Sequence, residues 1–73
     1  MLRVSVANRP AVRLRGERNQ LAILRLCVAA LQAADEWSEA VEQRIIDSLV
    51  AEGMDATNYP ELRAVCSRYC KLR

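Results

Sequence analysis

Two short stretches near the start of the chain alternate apolar and polar side chains. Leu2-Arg3-Val4-Ser5-Val6 does so, and Val12-Arg13-Leu14-Arg15 repeats the pattern, as half-buried strands do. Asn8-Arg9-Pro10 between them suits a turn, since Pro10 lacks the N–H that a ladder needs. The spacing predicts a β-hairpin with Val4 opposite Leu14 and Val6 opposite Val12. Its inner face would be Leu2, Val4, Val6, Val12 and Leu14. Its outer face would set Arg3 opposite Arg15 and Ser5 opposite Arg13, and Gly16 would end it.

The periodicity changes after Gly16. From about Arg18 to Ala34, the residues Leu21, Ile23, Leu24, Cys27, Val28 and Leu31 fill one broad arc of a helix, widened by Leu26 and Ala30. Arg18, Arg25 and Gln32 leave only a narrow polar stripe, flanked by Ala22 and Ala29. A helix so apolar requires cover on more than one side, which makes it the expected centre of the fold. Ser38 is a good N-cap for a second helix, Glu39 to Glu52, with Gly53 just past its end. Glu39 and Glu42 suit its positive end. Val41, Ile45 and Leu49 form its face, extended by Ile46 and Val50, and Glu42 falls between the two rows in the first turn, near solvent. Trp37 is expected to pack back onto the core. After a loop from Met54 to Tyr59, Pro60 fits the first turn of a third helix reaching about Lys71. Leu62, Val65, Cys66 and Tyr69 form its apolar face, and Arg63, Ser67, Arg68 and Lys71 its polar side.

The expected fold is therefore α+β: an N-terminal two-stranded hairpin packed on a central helix, followed by two further helices (ββααα). The expected core is Val4, Val6, Val12, Leu14, Leu21, Leu24, Val28, Leu31, Val41, Ile45, Leu49, Leu62, Val65 and Tyr69. At 73 residues the chain makes one domain, with a small core and marginal stability unless a second copy adds to it. The hydrophobic fraction of 52% argues for order everywhere except the extreme C-terminus.

Three cysteines and no histidine argue against a disulfide scaffold and for a reducing compartment. No apolar stretch of signal-peptide length follows the basic residues at the start. The apolar run from Leu21 to Ala34 is interrupted by Arg25 and Gln32 and is too short to span a bilayer. A cytoplasmic protein with no membrane association is expected.

Candidate chemistry narrows the picture further. Cys66 and Cys70 lie four residues apart on a helix and with Cys27 offer three thiols. A structural zinc site wants a fourth ligand, and neither a histidine nor a Cys-x-x-Cys pair exists to supply it. Helical i, i+4 cysteines also point their Cβ atoms apart, against a disulfide. The reading is a core Cys27 with reduced Cys66 and Cys70 at the core's edge. No histidine is present to activate a nucleophile, and the acids lie on one helix face or in loops. No catalytic residue, metal or cofactor is expected.

Charge is sorted by segment. Six arginines stand against Glu17 from Met1 to Arg25, eight acids against Arg44 from Leu26 to Leu62, and four bases with no acid from Arg63 onward. The net charge of +2 hides this basic, acidic, basic layout. The outward hairpin arginines Arg3, Arg13 and Arg15, with Arg18 and Arg25 beside them, are the expected partner-binding residues. The expected function is a small non-catalytic regulator or inhibitor that binds a cytosolic protein. Accessory proteins of phages and mobile elements share this size and lack of motifs. An incompletely covered first helix also favours a homodimer over a monomer. The alternative is a nucleic-acid-binding transcriptional regulator that uses the same hairpin, or the third helix through Arg63, Ser67, Arg68 and Lys71. Against it stand the acidic second helix and a six-residue loop that is long for a helix-turn-helix.

Overall fold

The computed structural model describes residues 8–73, so the expected first strand, with Arg3, Val4 and Val6, lies outside the described residues. Three helices dominate: α1 (Gln20–Ala34), α2 (Glu39–Asp55) and α3 (Tyr59–Tyr69). Two short strands, β1 (Ala11–Val12) and β2 (Lys71–Leu72), flank them. The result is a small, mostly helical fold with a minor strand pair.

The partner of β1 among the described residues is the far end of the chain. β1 and β2 pair in parallel, Ala11 beside Lys71 and Val12 beside Leu72. Bonds from Lys71 N to Pro10 O (2.8 Å), Arg73 N to Val12 O (2.8 Å) and Leu14 N to Arg73 O (3.0 Å) extend the ladder at both ends. The C-terminus expected to be loose is thus held in a strand, and α3 stops at Tyr69 rather than running on to Lys71. Cys70 ends the helix by taking an extended backbone (φ −137°, ψ 156°), which turns the chain onto β1.

The alternation read for residues 12–15 holds: Val12 and Leu14 are buried, Arg13 and Arg15 exposed. The chain then reverses at Arg15 and Gly16. Both have positive φ (51° and 79°), and Glu17 N bonds Leu14 O at 2.8 Å, as in the two-residue turns that need left-handed backbone at both central positions. Asn19 caps α1, its side chain accepting from Ala22 N at 3.1 Å. Ser38 caps α2, accepting from Val41 N. Asn58 caps α3, accepting from Glu61 N at 2.8 Å. The Glu61 carboxylate reaches back to Thr57 N (2.7 Å) and Thr57 Oγ1 (2.6 Å). This variant of the capping box fixes the start of α3.

One contiguous core joins all five elements. Ile23, Cys27, Leu31, Leu49 and Cys66 are completely buried, and Tyr69 and Leu62 nearly so. Trp37 packs against this cluster, as the sequence predicts. Two expected core residues do not belong to it: Leu21 is 55% exposed and Val41 44% exposed. On α2 the buried stripe runs through Ile45, Ile46, Leu49 and Gly53. It passes through half-buried Glu42 rather than Val41. On α1 the covered arc is narrower than the apolar one, because the described neighbours reach only Ile23, Leu24, Cys27 and Leu31 fully.

Gly53 is also not where its type suggests. It lies inside α2, which continues to Asp55. The helix tolerates a glycine there because Leu24 of α1 packs directly onto its backbone. A methyl at Gly53 would collide with Leu24 Cδ2 and come within 3.2 Å of Cδ1. A second tie joins α2 to α3. Tyr69 Oη donates to one Glu52 carboxylate oxygen and Arg68 to the other.

Gly53→Ala tests the α1–α2 contact. Alanine gains about 1 kcal/mol of helix propensity, but moving a fully packed Leu24 costs about 1–3 kcal/mol. The expected net is a destabilisation of about 1 kcal/mol, seen as a thermal midpoint lower by about 5 °C. A midpoint at or above wild type would mean that Leu24 yields freely.

Candidate functional site

Parallel pairing merges the two basic segments. The bonds from Arg73 N to Val12 O and from Leu14 N to Arg73 O bracket Arg13, so Arg73 stands beside Arg13 in the ladder. Lys71 stands beside Ala11. Val12 and Leu14 face the core, and Leu72 is half-buried, while Arg13, Lys71 and Arg73 are exposed. Arg15 follows in the turn. Arg9 lies just before β1, its guanidinium donating to the Ser67 carbonyl at the end of α3.

Five bases therefore gather around a strand pair too small to separate them. The nearest acid in sequence, Glu17, is turned away: its carboxylate accepts from Arg18 N (3.2 Å) and Asn19 N (3.0 Å) at the start of α1. Among the described residues none of the five bases stands in an ion pair. Adjacent like charges on a sheet face are mildly unfavourable, so the cluster is a cost to the isolated fold.

Other expected site residues lie elsewhere. Arg18 and Arg63 converge on one ring, their guanidinium carbons 4.3 Å and 5.9 Å from the Tyr59 centroid. Both make cation–π contacts, and Arg63 also donates to Tyr59 Oη at 3.4 Å. Arg25 is exposed on α1 beside a groove shared with α2, apart from the strand pair. Arg3 lies outside the described residues. Of the residues expected to bind a partner, Arg13 and Arg15 are the ones brought together. Of the alternative set, Lys71 joins them. Arg73 and Arg9 complete the cluster, although in the sequence Arg73 is only one of the four bases from Arg63 onward, and Arg9 one of the six early arginines, placed in a turn.

The rest of α3 is occupied locally. Arg68 pairs with Glu52, and Ser67 Oγ donates to Ala64 O at 3.0 Å. Glu52, Asp55 and Glu61 border the same shallow depression as Arg68. The α2–α3 connection is three residues, Ala56 to Asn58, not the six expected, because both helices extend into the anticipated loop. The length objection to a helix-turn-helix disappears, but the acids beside Arg68 would repel a phosphate.

The three thiols meet inside the core, all fully buried. Cys66 and Cys70 are therefore central rather than at the edge. Cys27 is pushed up to about 12: its hydrogen bond with Cys66 pulls it down, but the bond to Cys70, burial and charge on Cys70 outweigh that. Cys66 is raised by its hydrogen bond to Cys27 and by burial. Cys70 is lowered by its hydrogen bond with Cys27, against burial. Its Sγ also lies 3.8 Å from the Cys27 carbonyl oxygen. Among the described residues no cluster is arranged to hold a metal ion, and no helix is long and apolar enough to cross a membrane. Compared with known protein families, with curated proteins and with solved structures, the chain matches none.

Complete burial of all three thiols makes the native protein inert to alkylation. At pH 7–8 Cys27, Cys66 and Cys70 are expected to react with iodoacetamide only as fast as the fold opens, and together. Above the ordinary thiol value the unfolded chain sheds protons that Cys27 and Cys66 retain when folded, so stability falls as pH rises. The urea midpoint should drop between pH 8 and pH 10. A thiol labelled rapidly in native protein, or a midpoint unchanged over that range, would contradict the packing.

Proposed function

We propose that the chain is a small non-catalytic binding protein, a regulator or inhibitor, that docks an acidic protein surface through the bases on β1 and β2. The observation that carries this reading is the merging of the two basic segments. Arg9, Arg13, Arg15, Lys71 and Arg73 share one region with no acid among them. Charge-sorted faces of this kind speed and orient association with an oppositely charged partner. Arg3 is proposed as a further contact by its charge and its nearness to these bases in the sequence. A reducing, cytoplasmic setting accords with three free thiols in the core.

A nucleic acid is the second reading, favoured by the same cluster rather than by α3. Phosphates would meet these bases without selecting sequence. The acids of α2 and those around Arg68 count against a long duplex lying across the molecule.

Two measurements separate the readings. Charge reversal by Arg13→Glu with Lys71→Glu, both exposed, is expected to leave the helical circular dichroism unchanged. It should weaken capture of the cognate host protein by about 2 kcal/mol or more. Titration with a random DNA duplex at low salt is expected to show no binding. Micromolar affinity for the duplex, falling steeply with added salt, would replace the protein reading by the nucleic-acid one. Undiminished partner capture by the charge-reversed variant would move the site off the strand pair.

A further inference from the structure

The third helix divides charge. At about 100° per residue, Leu62, Cys66 and Tyr69 face the core, and the positions on either side form two flanks. Glu61 lies on one flank with Val65 and Arg68, beside Glu52 and Asp55 of α2. The other flank carries Tyr59, Arg63 and Ser67, and an arginine marks each of the three positions. Arg18, from the segment leading into α1, lies over the Tyr59 ring at 4.3 Å. Arg63 is the helix's own and donates to Tyr59 Oη at 3.4 Å. Arg9, from the segment leading into β1, donates to the Ser67 carbonyl. Lys71 comes next, its backbone N bonded to Pro10 O at 2.8 Å, so the row runs on into the strand pair.

Three segments far apart in the sequence thus contribute one line of cations. Tyr59, Arg63 and Ser67 are four residues apart, so the line advances about 6 Å at each step. All three arginines are exposed, and among the described residues none of them stands in an ion pair. Glu17, next to Arg18, gives its carboxylate to the backbone N–H groups of Arg18 and Asn19. A guanidinium has five N–H donors, enough to keep its present contact and still grip a carboxylate.

An acidic α-helix has the matching period. Carboxylates at every fourth residue lie along one side of it and advance by the same step of about 6 Å, whichever way it runs. An extended chain would find nothing to pair with on α3, whose backbone groups are bonded within the helix. A nucleic acid is served less well. The Tyr59 ring has Arg18 over it and packs against the core, which leaves no platform for a base, and acids line the opposite flank. We propose that the docking surface continues from the strand pair along this flank of α3 and receives one helix of the partner, its carboxylates four residues apart and opposite Arg18, Arg63 and Arg9. This rests on the reading of a protein partner and adds the form in which that partner presents its acids.

The probe is an alanine-based helical peptide with glutamates at positions i, i+4 and i+8. Its control is an isomer of the same composition whose glutamates point to three sides. Amide shifts of the full chain, followed by NMR at low salt, report binding. The striped peptide is expected to shift Arg18, Arg63 and Ser67 and to bind about fivefold more tightly than the isomer. Arg63→Glu should weaken it by about tenfold. Lysine in place of the peptide's central glutamate should restore binding to that variant, and lysine at an end should not. Arg18→Glu should be rescued only by a lysine at one end. Native circular dichroism is expected for both variants, and Arg63→Gln gives a milder test of the same contact. Equal binding of the two isomers, or rescue at the wrong position, would overturn the proposal. So would tighter binding of a short oligothymidylate through the same arginines, which would give the flank to a phosphate backbone. If the peptide fails while capture of the host protein still depends on Arg13 and Lys71, this inference falls and the docking reading stands. If the peptide binds in register while capture ignores Arg13 and Lys71, the strand pair is not the site and the α3 flank is.

Discussion

The parallel return of β2 to β1 is the constraint on which the molecule is built. Parallel neighbours cannot be joined by a tight turn; the chain must cross over between them. Here the crossover is the entire three-helix unit, from Gln20 to Tyr69. The ladder itself is short, and its few hydrogen bonds contribute modestly. It holds because Val12 and Leu14 on one side and Cys70 on the other are sealed into the helical core. Ladder and core are thus conditions for one another, and the basic segments meet because of both.

Inside the helical unit, close approach is achieved with small or soft side chains. Gly53 lets α1 contact α2 through Leu24. Cys27, Cys66 and Cys70 pack α1 against α3 and the approach to β2. Sulfur fills such gaps as a small, polarizable, apolar atom. Polar groups are confined to the margins. The Tyr69 hydroxyl and the Arg68 guanidinium share Glu52, and burial first, then the bond to Glu52, holds the Tyr69 phenol above its ordinary value.

Much of the helical part was legible in the sequence because its signals are local. Ser38, the arc through Leu24 and Leu31, and the Leu62–Cys66–Tyr69 stripe all repeat at helical spacing. What escaped depends on contacts between distant segments. Two residues of β2 carry no periodicity, so Lys71 read as the end of a helix rather than the start of a strand. Gly53 read as a terminator because glycine's commonest role at a helix end is conformational, whereas here its lack of a side chain serves packing. Leu21 and Val41 read as core because hydropathy cannot tell a covered flank from an open one. The candidate site was legible only in part. Arg13 and Arg15 stood out by alternation and charge, but nothing local joined them to Lys71 and Arg73 some sixty residues later.

The ladder closes a loop of that length, and loop closure carries an entropic penalty paid before any contact rewards it. The juxtaposed cations make closure slightly harder still. An anionic ligand that spans Arg13 and Arg73 would cancel that repulsion and clamp both strands at once. Ladder formation and the gathering of these bases are a single event: residues 71–73 bring their charges beside Arg13 only while the strand pair is closed, and its loss scatters them.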